Sequence, residues 1–280
     1  MTVISSTFTP PPLKALDKRL RVSRWYFAPR LRGAGNVDPQ RPALFVGNHG
    51  LYGLIDSPLF MAELYRETGV YPRALGDHFH FQVPGWGPLL TRFGAVDGTP
   101  ENCKALMESG QHVLVFPGGA REVAMRKDEA HKLVWKKRTG FARMAISHGY
   151  DIIPFASAGC DYTYDILFDG EGFKHSRLGK RVLNNAKVNR VLRDGDLFMP
   201  VSRGVGPTLL PRPEPLWFEI GKPITTQRWA GRADDKEACW ALREEVASSI
   251  ESMLAGLEKD RAAARKKGWR KWLLKDRDGR

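Results

Sequence analysis

The chain contains only three cysteines in 280 residues, Cys103, Cys160 and Cys239. Odd in number and far apart, they form no disulfide framework and no CxxC knuckle for a structural metal, which fits a reducing, intracellular setting. Also missing is any uncharged apolar run of the roughly 20 residues needed to cross a bilayer. The longest candidate, residues 42–55, is interrupted by Asn48, His49 and three glycines. The opening residues 1–21 are polar and proline-broken, without the apolar core of a signal peptide. There is no G-x-S-x-G nucleophile elbow, no internal repeat, and no nucleic-acid recognition motif beside the positive charge. A secreted disulfide scaffold, a membrane-spanning protein and an elbow-type serine hydrolase are thereby set aside, and nucleic acid is not expected as a partner.

What is present suits a globular protein: 42% hydrophobic and 27% charged residues, with length enough for one large core. The net charge of +13 is concentrated at the ends. Residues 14–32 hold seven Lys/Arg against one Asp, and residues 259–280 hold ten against three. Residues 33–258 are neutral as a block, with 27 charges of each sign. Both ends interleave these cations with apolar residues. Leu13, Leu16, Leu20, Phe27 and Leu31 fall near one helical face, and Trp269, Trp272 and Leu273 sit inside "RKKGWRKWLLK". Basic residues among Trp and Leu suit the interface of an anionic membrane, so both ends are expected to contact one. The competing expectation is that the first helix packs on the core and the tail is a solvated charge run.

Between the ends, short apolar segments alternate with helical patterns. "PALFVGNH" (42–49), "VYPRAL" (70–75), "FGAV" (93–96), "HVLVFPGG" (112–119), "DIIPFASAG" (151–159) and "LWFEIGKPI" (216–224) read as strands. Residues 57–69 read as a helix with Ser57 as N-cap, Pro58 at its first position and Gly69 as its stop. Residues 99–110 open on Thr99 and Pro100 in the same way. Further helices are expected at 139–149 and from about 234 to 257, while 160–215 looks looser, with prolines clustered from 200 to 215. This alternation predicts an α/β fold, a mostly parallel sheet flanked by helices, with amphipathic and basic helical extensions at the N- and C-termini. The expected division is a basic N-terminal segment, 1–33, an α/β domain, 34–232, and a C-terminal helix with a Trp-containing tail, 233–280. In such sheets reactive groups gather at the carboxyl ends of strands. Three strand ends carry suggestive residues: His49, Gly118 to Glu122, and Gly159 to Asp161.

Three motifs in this order, "GNHGLYGLID", "VFPGGAREV" (115–123) and "IIPFASAGCDYTYDI" (152–166), resemble the glycerolipid acyltransferase superfamily over roughly residues 40–225. The first is similar to that family's His-Asp motif, and the second lies where the family has its phosphate-binding Gly/Arg motif. Six residues separate His49 from Asp56 rather than the commoner four, and "PGGARE" replaces Glu-Gly-Thr-Arg. Both departures look like the branch of diacylglycerol and monoacylglycerol acyltransferase-like proteins and of plant phytyl ester synthases. The resemblance implies His49 and Asp56 as catalytic residues, with Gly118, Gly119, Arg121 and Glu122 binding substrate or phosphate.

The chemistry agrees. Moving an acyl group from a thioester to a hydroxyl needs a base on the attacking oxygen, and imidazole titrates near neutrality. A carboxylate on its other nitrogen fixes the tautomer and stabilises the imidazolium. No enzyme nucleophile is required. Backbone N–H groups at Gly118 and Gly119 suit a developing oxyanion, and Arg121 suits a phosphate bidentately. The expected function is O-acyl transfer from acyl-CoA or acyl carrier protein, as co-substrate and with no cofactor or metal, to a lysophospholipid, other glycerolipid or lipid alcohol. The expected place is peripheral, on the cytoplasmic face of a membrane. The alternatives are a non-catalytic lipid-binding protein of the same fold, and a metal-dependent hydrolase using His49, Asp56, His78 and His80. Trp135, Phe141 and Phe155 are candidates for an acyl groove, with core packing the plainer reading.

Overall fold

The computed structural model describes residues 8–193, 195–265 and 269–274. Five of the tail's cations, Lys266, Lys267, Lys275, Arg277 and Arg280, lie outside the described residues.

Among the described residues nine strands form: β1 (Arg30–Arg32), β2 (Ala43–Gly47), β3 (Arg73–Gly76), β4 (Val96–Asp97), β5 (Val113–Val115), β6 (Asp151–Ala158), β7 (Asp165–Phe168), β8 (Val201–Arg203) and β9 (Trp217–Ile220). Seven make one sheet in the order β1-β9-β6-β2-β5-β3-β4. Neighbours run parallel except at β6–β9, so β1 and β9 oppose the other five. Every residue of β2 and β6 is buried, as expected for central strands covered on both faces. One face carries Leu44, Val46 and Ile152 against the helices Pro100–Glu108, Gly140–His148 and Lys236–Arg265. The other carries Phe45, Leu114 and Ile153 against the helices Leu13–Phe27 and Asp56–Thr68. The mostly parallel α/β sandwich expected from the alternation is what forms.

Several local expectations are corrected. The helix over 57–69 starts one residue earlier, at Asp56, and its cap is not Ser57: the Ser57 N–H donates to Asp56 Oδ1 at 2.9 Å. A carboxylate in the first turn suits the positive end of the helix. Gly69 does close it, at φ +73, a conformation that costs glycine little. Thr99 caps its helix as expected, accepting from the Asn102 N–H at 3.2 Å.

The ends differ more. The apolar stripe of Leu13–Phe27 is buried, not free for a membrane: Leu16 and Phe27 are in the core, and Arg24 ties the helix to Glu63 at 2.7 Å. The last helix runs eight residues beyond Leu257, to Arg265. Arg261 is buried over the Tyr162 ring and pairs with Glu214 and Glu258, so its charge belongs to the core. Leu242, Val246 and Ile250 of the same helix are fully buried, in the cluster that covers one face of the sheet. The two ends also meet. Trp25 stacks on Trp269 with ring centroids 5.1 Å apart, and Arg270 donates to the carbonyls of Trp25 and Tyr26. Residues 160–215 are more ordered than their composition suggests, with a β7–β8 ladder and the helices Gly170–His175, Arg177–Leu183 and Ala186–Leu192.

Candidate active site

The three motifs follow β2, β5 and β6. These strands are adjacent and parallel in the middle of the sheet, so their carboxyl ends open side by side.

At the end of β2 the chain must leave the sheet, and Asn48 manages the departure. Its side-chain amide donates to the Ser157 carbonyl and accepts from the Ser157 N–H, both at 2.8 Å. The carboxamide thus adds one more rung to the β2–β6 ladder and fixes where His49 begins. His49 lies mostly buried, its ring stacked on Phe116 at 3.9 Å and 8°. Nδ1 is 3.0 Å from Asp56 Oδ2. The same oxygen accepts from the Gly50 N–H at 2.7 Å, and Oδ1 accepts from Ser57. Burial pushes the Asp56 carboxyl up, but the His49 charge and hydrogen bond and the two amides outweigh it and hold the pKa below the ordinary 3.8. An ionised carboxylate can only accept, so Nδ1 carries the proton, and in the neutral form of the ring it is Nε2 that has the lone pair. A Cβ on Gly53, which sits at φ +65, would come within 2.5 Å of Nε2. Glycine is therefore required for that turn to pass over the free nitrogen.

After β5, Phe116 and Pro117 lead into the short helix Gly119–Val123. The Gly119 N–H closes a turn onto the Phe116 carbonyl at 3.0 Å, so it is engaged. Gly118 packs directly on Glu122. Glu122 is 1% exposed, and neither carboxyl oxygen has a hydrogen-bond partner among the described residues. Burial raises its pKa well above 4.5, the charges of Asp161 and Asp56 add to this, and the nearby amides of His49 and Val134 offset it only in part. Glu122 is thus pushed toward its neutral form while Asp56 is held toward its ionised one, two carboxyl groups driven apart by their surroundings. Asp161, buried after β6, accepts from the His131 N–H at 3.0 Å and is also raised, by burial first.

A carboxyl group whose folded pKa is raised binds its proton more tightly in the folded state. Its contribution to stability is therefore best in acid and falls as pH rises from the unfolded value toward the folded one. Glu122→Gln should raise the melting temperature at neutral and alkaline pH, with the gain vanishing in acid. Melting curves across pH check this, and a pH-independent difference would count against a neutral Glu122.

Arg121 is not beside His49. It is 4% exposed, paired with Glu129 and with Asp196 at 3.4 Å, and donates to the Ala124 carbonyl at 3.3 Å. The guanidinium nearer the site is Arg138, whose Nη1 donates to the Pro117 carbonyl at 2.7 Å and also to that of Gly118. Arg138 stands at a cavity of about 380 Å³, mainly apolar, with Leu75, Phe116, Phe141 and Met144 in its wall. Of the three aromatics considered for a groove, Phe141 lines this cavity, while Trp135 and Phe155 are core. His78 pairs with Asp97 at 2.6 Å, and among the described residues no group of three His, Cys, Asp or Glu side chains is disposed to hold a metal. Sequence reading missed Asn48, Phe116 and Arg138. The "NH" and "FPGG" steps drew attention to the backbone there, and no local signal marks Arg138.

Residues 28–158 match the acyltransferase family model. Phytyl ester synthase 1 of Arabidopsis thaliana is 30% identical over 246 residues, 82% of this chain and 34% of the relative. The human "DGAT1/2-independent enzyme synthesizing storage lipids" is 38% identical over 124 residues, 44% of this chain and 38% of the relative. The chain thus spans about a third of the length of these curated relatives. The solved 1-acyl-sn-glycerophosphate acyltransferase of Thermotoga maritima has the same fold, with a TM-score of 0.51 at 17% identity, covering 86% of this chain and 79% of that one. These matches support the glycerolipid acyltransferase superfamily, with the acyltransferase family model over residues 28–158 and phytyl ester synthases and a diacylglycerol O-acyltransferase 2 of Umbelopsis ramanniana among the similar proteins.

Proposed function

We propose that this chain is an O-acyltransferase that moves a fatty acyl group from a thioester, acyl-CoA or acyl carrier protein, to the hydroxyl of a lipid alcohol. The observation that carries this reading is the His49–Asp56 pair at 3.0 Å, with the His49 ring stacked on Phe116, which lines an apolar cavity of about 380 Å³. Nε2 takes the proton from the acceptor hydroxyl as its oxygen bonds to the thioester carbon. The carbonyl oxygen gains the charge, and the Gly118 N–H at the end of β5 is the donor assigned to it. Collapse breaks the carbon–sulfur bond, and His49 returns its proton to the leaving sulfur. Asp56 stays ionised and holds the imidazolium. The cavity takes the acyl chain.

The acceptor is assigned to the neutral end of the expected range. Arg121 is occupied by Glu129 and Asp196, so a phosphate there would have to displace a buried ion pair. The named relatives, a phytyl ester synthase and diacylglycerol acyltransferases, point the same way. Arg138 at the cavity is the guanidinium assigned to the donor's phosphate. No helix among the described residues is long and apolar enough to cross a membrane. The protein is assigned to work peripherally, with Trp25, Trp269 and Trp272 at the joined ends exposed beside Arg21 and Arg30.

The test is incubation with mixed acyl-CoAs or acyl carrier protein thioesters and a panel of phytol, diacylglycerol and lysophosphatidate, read by mass spectrometry. Thioester-dependent ester is expected on the neutral alcohols. Ester on lysophosphatidate alone would return phosphate recognition to the acceptor, and no ester with any acceptor would overturn the reading.

A further inference from the structure

The segment between β6 and β9 roofs the base. Tyr52, in the turn that carries Gly53 over His49, donates its hydroxyl to the Pro200 carbonyl at 2.7 Å and meets Ser202 Oγ at 2.6 Å. Its ring packs edge-on against Tyr164 at 5.3 Å. From below, Asp196 receives Arg121, Arg126 and Lys136 together.

The outer surface of this roof has a charge that the neutral middle block conceals. Between 174 and 193 the chain has seven Lys or Arg and no Asp or Glu. All seven side chains are exposed. None has an ion-pair partner among the described residues, whose acids in the roof are engaged elsewhere: Asp196 inward, Asp169 by the Lys127 and Gly172 amides, Glu171 to Arg126 and His175, and Asp165 to Arg203 and Arg212. Unpaired like charges on two short helices, Arg177–Leu183 and Ala186–Leu192, repel one another and are retained at an energetic cost.

Large apolar side chains are exposed on the same segment. Leu167, Leu178, Val201, Leu209 and Leu210 are each about half exposed or more. Half of all the large apolar side chains left exposed among the described residues fall between 165 and 210. Soluble surfaces scatter such residues singly, and their concentration on one segment is what an interaction surface requires. A coenzyme's phosphates would be met by cations in a pocket, whereas these lie exposed, most of them on two short helices. Aliphatic side chains and unpaired cations together are the composition that enters the headgroup layer of an anionic bilayer.

We propose that the roof formed by residues 165–210 is a membrane-docking surface for anionic lipid, separate from the joined ends, which sets the turn over His49 against the bilayer. Docked there, the base would lie a short path from a lipid alcohol, with no need for the acceptor to cross water.

Lys180→Gln, Arg181→Gln, Lys187→Gln and Arg190→Gln combined is the first test variant, and Leu178→Ser with Leu209→Ser the second. Sedimentation is measured with phosphatidylcholine vesicles with and without phosphatidylglycerol. The charge variant should bind anionic vesicles up to about a thousandfold more weakly, with binding to neutral vesicles unchanged. The apolar variant should weaken both. Melting temperatures should hold, since the substituted side chains are exposed. Anionic-vesicle binding within about twofold of the parent in both variants would overturn the proposal. So would unchanged vesicle binding with a raised KM for carrier-protein thioester, which would make the roof a carrier-docking face. Sedimentation requires no turnover, so a chain that binds vesicles normally but forms no ester would sink the acyl-transfer reading and leave this one standing.

Discussion

His49→Ala is expected to lower acyl transfer by about a thousandfold while leaving the fold intact, the scale of losing a positioned general base. The ring is mostly buried, and it makes one contact with Asp56 and one stack on Phe116, so a melting curve is needed to separate a loss of packing from the loss of rate. Asp56 remains held by the Gly50 and Ser57 amides, which keeps the turn in place. The loss should fall on kcat, because the base acts on the proton in flight and contributes little to holding either substrate. Steady-state rates on a thioester donor, with a melting curve beside them, decide it. Retention of a tenth of the parental rate would remove His49 from the base role.

Asp56→Asn is the second large effect, a fall in rate of about a hundredfold to ten-thousandfold, by analogy with the histidine-orienting carboxylate of acyl-transfer triads. The carboxylate faces Nδ1 and the Gly50 N–H with one oxygen, and the Ser57 N–H with the other. A carboxamide has a single acceptor oxygen. Used for the helix start, it turns the NH₂ toward the ring, and Nδ1 must then accept. The proton moves to Nε2, and the nitrogen facing the substrate ceases to be a base. Asp56 thus serves as first-turn acid and as orienter at once, and the two roles separate by pH. Its pKa is depressed in the folded state, so the stability it gives is present above the unfolded value and lost as pH falls through the folded one. The melting-temperature gap between parent and variant should close in acid, while the rate defect should persist at neutral pH even where stability is restored by ligand or temperature. A variant that is merely less stable, with normal turnover per folded molecule, would make Asp56 structural only.

Much of this was legible in the sequence because it is local. β2, the turn and the helix after it lie within about 25 residues, and a glycine-rich turn bridges His49 to its carboxylate within seven positions. The strand order that sets β2, β5 and β6 side by side follows from buried runs alternating with helices. What was not legible depends on distance along the chain. Asn48 reads as ordinary turn chemistry until Ser157, 109 positions away, supplies its partner. Arg121 looks available for phosphate because Glu129 and Asp196 are not its helical neighbours. The stripe on the first helix could not announce whether lipid or the helix Asp56–Thr68 would cover it, since both favour the same residues. The cations at 174–193 were hidden by counting charge over a block whose acids point away from them.

Phe116 belongs to two structures at once. One face of its ring lies flat on the His49 imidazole, and the same side chain forms part of the cavity wall. Whatever fills that cavity therefore presses, through a single rigid plate, on the group that moves the proton. Chain-length preference and proton transfer share a mechanical part, so they are not free to vary separately at this position. Reshaping the cavity at Leu75, Phe141 or Met144 leaves the plate in place, whereas trimming the plate itself alters both the space for the chain and the angle of the base. Pairs of substitutions that include position 116 should accordingly depart from additivity, and pairs drawn from the far wall should not.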